Sequence, residues 1–133
     1  MPTRDQIVAL CDSYLAAVTA ADVEATVALF APDARQEDPV GSPANVGHDA
    51  IRTFFTASAE VPLRATRYGP VTVMGNRAVF QVLITMPTPD GDFRMLFADV
   101  VTVDDECRIT ELLGFADGEA DLTDAPGARE VLG

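Results

Sequence analysis

The sequence predicts an α+β domain in which three N-terminal helices wrap a curved antiparallel or mixed β-sheet around an apolar cavity, a cone-shaped α+β barrel. Three observations carry this expectation. Apolar residues recur at helical spacing as far as residue 58 and at strand spacing from residue 63 onward. Turn signals, led by Gly75-Asn76, divide the second half into strands of hairpin length. The most apolar stretch, residues 93–103, holds a carboxylate, Asp99, near its centre.

The first helix is the clearest element. Ile7, Leu10, Cys11, Tyr14, Leu15 and Val18 form one apolar stripe, and Thr3 stands where an N-cap is needed. A second, shorter helix is expected over residues 22–30, started at Ala21-Asp22 and stopped by Pro32-Asp33. Residues 34–37 then read as a short strand, and Asp38-Pro39-Val40-Gly41-Ser42-Pro43 as a turn-rich loop. A third helix over residues 48–58 buries Ile51, Phe54 and Phe55. Strands follow over residues 63–74 and 77–86, and a second turn over 87–91 leads into the strand that carries Asp99. Asp104-Asp105-Glu106 turns the chain into a last strand over residues 107–116. Residues 1–117 make the domain, and the acidic residues 118–133 an extension expected to be mobile.

Bulk properties exclude several functions. At 133 residues the chain is one domain, and nearly half its residues are apolar, enough for a sizeable core. A net charge of −12, from 21 acids against 9 bases, opposes binding to nucleic acid and to anionic membranes. The bases are also scattered singly rather than clustered. Arg4, Asp5 and Asp12 interrupt the first helix, so the N-terminus does not read as a signal peptide, and no apolar run reaches membrane-spanning length. Cys11 and Cys107 lack metal-type spacing and read as reduced thiols of a cytoplasmic protein. One histidine, His48, is too few for a multi-histidine metal centre, and no glycine-rich phosphate loop is present. The chemistry is expected to need no cofactor and no metal.

By period-2 counting Asp99 shares a face with Phe93, Met95, Phe97, Val101 and Val103, and no basic residue of that strand joins them. The run is expected to be covered on both faces. A carboxylate there is either neutralised by a cation or keeps its proton, and in the second case it is a hydrogen-bond donor in a dry pocket. Tyr14 points inward from the first helix, as a core tyrosine with its hydroxyl at the rim or as a donor into a cavity. Asp38, held extended by Pro39, is an Asx-type turn residue or an ionised base at a cavity mouth. His48 reads as support for a helix start, and Cys107 as half-buried packing behind a solvated turn. Tyr14, Asp38 and Asp99 together suit one chemistry. Removing a proton beside a carbonyl needs a base, and donors where the enolate oxygen develops.

The spacing of these three residues, with Glu37-Asp38-Pro39-Val40-Gly41-Ser42, resembles that of the bacterial ketosteroid isomerases (steroid Δ5-isomerases) of the nuclear transport factor-like cone-fold superfamily. The likeness runs without obvious gaps from the first helix to the last strand. It takes in Val27-Ala28-Leu29-Phe30-Ala31, Ala50-Ile51-Arg52, Phe54-Phe55 and Pro62-Leu63. It implies that Asp38 is the proton-shuttling base and that Tyr14 and a protonated Asp99 are the oxyanion donors, the neutral buried acid being a known device of that family. The implied reaction converts a 3-oxo-Δ5-steroid to the conjugated Δ4-enone. Asp38 takes a proton from C4, a dienolate forms, and Asp38 returns the proton to C6. The implied apolar wall is Phe54, Val82, Ile84, Met86, Val101 and Leu112.

No cofactor or metal is implied. The implied partners are a small, hydrophobic, steroid-like ketone and a second copy of the chain packed through the open sheet face. Phe55 stands where the family often has a tyrosine hydrogen-bonded to the oxyanion tyrosine, and Phe30 cannot supply one, which implies a lower rate. The acidic tail has no match. The superfamily also hosts polyketide cyclases, scytalone dehydratase, limonene epoxide hydrolase and non-catalytic binding modules. A cyclase or lyase using the same acid and base, and a carrier of an apolar ligand, therefore stand beside the isomerase, although a carrier has no need of a buried acid.

Overall fold

The computed structural model describes residues 1–123 and 125. In chain order it has helices α1 (Arg4–Thr19) and α2 (Val23–Val27), strands β1 (Phe30–Glu37) and β2 (Asn45–Val46), helix α3 (His48–Ser58), and strands β3 (Arg64–Met74), β4 (Arg77–Thr88), β5 (Gly91–Val103) and β6 (Ile109–Asp117). Helix α1 starts where Thr3 satisfies its first turn. The Thr3 hydroxyl accepts from the Gln6 amide at 3.2 Å, and the Gln6 side chain accepts from the Thr3 amide at 2.8 Å. This reciprocal box occupies two amides that a helix start otherwise leaves unpaired. The expected stripe is buried as far as Leu15, with Tyr14 between Cys11 and Leu15, and Val18 is half-buried. Helix α3 spans the predicted residues and buries Ile51 and Phe55.

The chain leaves α2 earlier than expected. Asp22 caps the helix by accepting from the Ala25 amide, but the Leu29 carbonyl is taken by the Ile109 amide at 2.8 Å, which draws the chain into the sheet. Strand β1 therefore begins at Phe30 rather than at residue 34. Pro32 and Asp33, read as a helix stop, lie inside this strand, exposed, where its pairing with β6 slips between Phe30 and Arg35. Proline has no N–H for the ladder, so it sits where the ladder is broken.

The sheet order is β2-β1-β6-β5-β4-β3. Every neighbouring pair is antiparallel except β1 and β6, which are parallel, so the sheet is mixed. It is curved but unclosed, with β2 and β3 as edges, and the expected barrel is an open one. The Gly75-Asn76 turn is where the sequence puts it. The second turn is narrower than expected, because pairing continues to Thr88 opposite Gly91 and leaves Pro89-Asp90 to reverse the chain. Strand β6 starts at Ile109 rather than residue 107. The Asp104 carboxylate accepts from the amides of Glu106 and Arg108 and from Arg108 Nε, which keeps Cys107 in the turn at φ 58°.

Helices α1 and α3 cover the inner face of the sheet, and Ile7, Phe30, Ile51, Phe80, Ile109 and Leu112 are fully buried between the layers. Each such side chain contributes about 1.5–3 kcal/mol through burial. Strand β5 is not fully covered on its outer face, against expectation. Asp99, Val101 and Val103 are buried inward, while Leu96, Ala98 and Val100 on the outer face are half-buried. Leu122 and Ala125 of the extension pack on Leu83 and Tyr68. Residue 124 and residues 126–133, for which mobility was expected, lie outside the described residues. Among the described residues no helix is long and apolar enough to cross a membrane.

Because the Thr3–Gln6 box closes the start of the helix that carries Tyr14, Thr3→Ala is expected to lower the unfolding free energy by about 1 kcal/mol in urea denaturation. An unchanged midpoint and slope would show that the box contributes nothing in solution.

Candidate active site

The inner face of the sheet and the two long helices enclose a cavity of about 320 Å³. Its walls follow from periodicity. On β4, Val82, Ile84 and Met86 alternate inward, and on β5 so do Met95, Phe97 and Asp99. Register sets them side by side, with Val82 opposite Phe97 and Ile84 opposite Met95. Helix α1 contributes Tyr14, Leu15 and Val18 at one- and four-residue spacing, and α3 contributes Phe54, Phe55 and Ser58. Leu63 and Ala65 close the side toward β3.

Asp38 reaches the cavity because β1 runs parallel to β6. Glu37 lies opposite Leu113, and the Val40 amide donates to the Gly114 carbonyl at 2.7 Å, tying the Asp38-Pro39-Val40 segment to β6. The bond between Asp38 and Pro39 is cis. Gly114 is in turn the register partner of Asp99. Tyr14, Asp38 and Asp99, read from three distant parts of the sequence, thus line the same cavity.

Four of the six expected wall residues, Phe54, Val82, Ile84 and Met86, also line it. Val101 and Leu112 do not, which corrects the expectation. They are register partners across β5 and β6, 1 % and 0 % exposed, and pack in the core instead. Met95 and Phe97 were missed as wall residues although their face with Asp99 was legible. Leu15, Val18, Ser58 and Leu63 were missed as well. The first two lie beside Tyr14 on the helix, and Ser58 one turn beyond Phe54 and Phe55. Gly114 was missed too; a glycine inside a strand, in step with an inward Leu112, was the available signal.

No hydrogen bond or ion pair within the described residues engages the side chain of Tyr14, Asp38 or Asp99, and Tyr14 and Asp99 are only 4 % and 5 % exposed. Burial therefore governs their protonation. Asp38 is pushed up to about 6 by desolvation. Asp99 is raised well above the usual carboxylate range, by desolvation first and then by the charge of Asp38. Tyr14 is raised by desolvation and by both carboxylates. Asp38 is thus the readier of the two carboxyls to ionise, while burial favours the protonated forms of Asp99 and Tyr14.

The surroundings of Tyr14 are aromatic. Phe30 and Phe55 stand edge-on to its ring, with centroids 6.2 and 6.1 Å away, and Phe54 meets Phe55 at 5.1 Å. These contacts fix the ring without engaging its hydroxyl. His48 does what the sequence suggested: its Nε2 lies 2.8 Å from the Phe30 carbonyl and secures the start of α3 to β1. Among the described residues no group of three or more potential metal ligands is gathered. A carboxylate beside two protonated donors in a dry pocket is an arrangement that can take a proton from carbon and stabilise the oxyanion that results.

Comparison with known proteins finds relatives in both sequence and fold. Residues 12–112 match the model of the SnoaL-like domain family. A steroid Delta-isomerase of Nocardioides simplex is 34 % identical over 113 residues, which span 84 % of this chain and 91 % of that protein. The fold of SalBIII, an epoxide hydrolase/cyclase-like enzyme of pyran ring formation in the polyether salinomycin, superposes with a TM-score of 0.80 at 23 % identity, over 88 % of this chain and 95 % of that one. The extent of the family match and the identity to the isomerase carry one conclusion: the chain belongs to the SnoaL-like family, among its ketosteroid isomerase-like members.

Proposed function

We propose that this protein is a cofactor-free isomerase that moves the β,γ double bond of a 3-oxo-Δ5-steroid, or a similar hydrophobic ketone, into conjugation. One observation carries the reading: three polar side chains without hydrogen-bond or ionic partners among the described residues share an apolar cavity, where burial favours the proton on Asp99 and Tyr14 and leaves Asp38 to ionise near 6. The identity to a steroid Delta-isomerase supports it.

In the proposed reaction the ketone oxygen accepts hydrogen bonds from Tyr14 and protonated Asp99. Asp38 removes the proton from C4, and the C–H electron pair moves into the C3–C4 bond as the carbonyl electrons move onto oxygen. The dienolate then takes the same proton back at C6 from Asp38, and the carbonyl re-forms. Nothing is oxidised, and Asp38 ends as it began. Neutral donors suit the step, because they meet an oxygen that becomes negative without adding a second charge to a dry site.

Conversion of 5-androstene-3,17-dione, followed by the absorbance of the conjugated enone, tests the reading. Asp38→Asn is expected to lower kcat by about 10²–10⁴-fold and Tyr14→Phe by about 10²–10³-fold. No turnover by the parent chain would overturn the steroid assignment, and full activity of Asp38→Asn would overturn the mechanism. Binding of a steroid that persists in Asp38→Asn, without turnover by either protein, would favour a carrier.

The titration of Asp38 has two consequences with opposite signs. Turnover needs the carboxylate, so kcat/KM is expected to fall as pH drops through about 6. Stability moves the other way. The folded state holds the Asp38 proton more tightly than the unfolded chain, so this group costs nothing below its ordinary value and destabilises progressively as pH rises through about 6. Asp38→Asn is therefore expected to be more stable than the parent at neutral pH, by up to about 3 kcal/mol, and indistinguishable from it in acid. Urea denaturation at both pH values checks this, and an equal difference at both would refute it.

A further inference from the structure

Gly114 brings no functional group to the cavity, yet both carboxylates lie against it. A Cβ built on its backbone would overlap Asp38 Oδ1, stand 2.9 Å from Asp38 Cγ and approach Asp99 Oδ1 to 3.4 Å. Side-chain carbons do not sit that close to a carboxylate. The backbone gives no other reason for a glycine here. Gly114 is absent from the positive-φ positions, lies within the regular pairing of β5 and β6, and is buried. A glycine inside a strand weakens the strand, so its place marks a close approach of another group.

The approaching group is identifiable. Leu112, two residues earlier on the same inward face, fills the core, whereas at position 114 the corresponding space holds the Asp38 carboxylate. The same residue ties down the base's backbone, since its carbonyl accepts from the Val40 amide at 2.7 Å. We propose that Gly114 is the seat of the general base: its missing side chain leaves the space in which the Asp38 carboxylate rests beside Asp99, and its carbonyl holds the loop that carries Asp38. Gly114 is thus a positioning residue, acting through Asp38. Its role in turnover rests on the isomerase reading; its role in placing the carboxylate does not.

The experiment is Gly114→Ala, assayed with 5-androstene-3,17-dione and solved by crystallography. The atoms a methyl group meets are carboxylate atoms rather than backbone, so the chain is expected to fold with Asp38 displaced from β6. A misplacement of about 1 Å is expected to lower kcat by about 10- to 100-fold. KM should move far less, because the apolar wall is untouched. An unmoved Asp38 carboxylate, or a displaced one with kcat unchanged, would overturn the proposal. If the parent chain shows no turnover, the isomerase reading fails separately, and the position of Asp38 in the Gly114→Ala structure still decides the matter. Should Gly114→Ala prove unstable, the same substitution is made in Asp38→Ala, where the methyl meets no Asp38 carboxylate. Tm is then expected to equal that of Asp38→Ala alone, and an equal loss in both backgrounds would overturn the proposal.

Discussion

Two carboxyl groups share an apolar cavity with no cation engaged to either of them among the described residues, and the proposed roles in the site follow from that constraint. Two ionised carboxylates side by side in a dry space would repel each other as well as lose their hydration. The system lowers its energy by keeping one proton. Asp38, half-buried at the end of β1, gives its proton up first, at about 6. For Asp99, deep in β5, both burial and the charge on Asp38 oppose ionisation. Two residues of the same type are thus set apart in acidity, by depth first and then by the charge one places on the other. Tyr14 enters the same balance, with its proton held by burial and by both neighbours.

This balance needs exact placement, and the fold supplies it through long-range pairing rather than through local contacts between the three groups. The unbroken β4–β5 ladder aims Asp99 inward along with Phe97 and Met95. The parallel β1–β6 pairing and the Val40–Gly114 hydrogen bond bring Asp38 to the same place. The capped start of α1 and the edge-on rings of Phe30 and Phe55 fix Tyr14. Those rings have a chemical consequence as well. They pack the phenol without donating to its oxygen, so Tyr14 remains a poorer acid than a tyrosine supported by further hydroxyls. The core beneath, with Leu112 and Val101 at its centre, is where the stability that tolerates an ionised Asp38 resides.

Much of this was legible in the sequence, for identifiable reasons. Helices α1 and α3 carry strong periodicity, and Thr3 and His48 mark their starts, so their boundaries were predictable almost to the residue. The hairpin at Gly75-Asn76 follows from turn chemistry. The inward face of β5 follows from counting by two. What failed depends on partners distant in sequence. The early entry into β1 is driven by the Ile109 amide, and the two-residue β2 exists only through pairing with Arg35 and Gln36. Asp99, Val101 and Leu112 share one direction, but only the three-dimensional packing puts the first in the cavity and the other two in the core. Gly114 escaped notice because a glycine reports absence, and the group that fills its space comes from residue 38.

Membership of the SnoaL-like family narrows the chemistry without selecting it, since a fold accommodates many reactions and the decisive features lie in the site. For the proposed reaction the decisive feature is a protonated Asp99. Its protonation can be measured without substrate, by carbon NMR of ¹³C-labelled aspartate, with the Asp99 signal assigned by its loss in Asp99→Asn. The account predicts that at neutral pH the Asp99 side-chain carbon resonates as a carboxylic acid, while Asp38 has already titrated near 6. An Asp99 signal that moves to the carboxylate position at or below the Asp38 transition would contradict it.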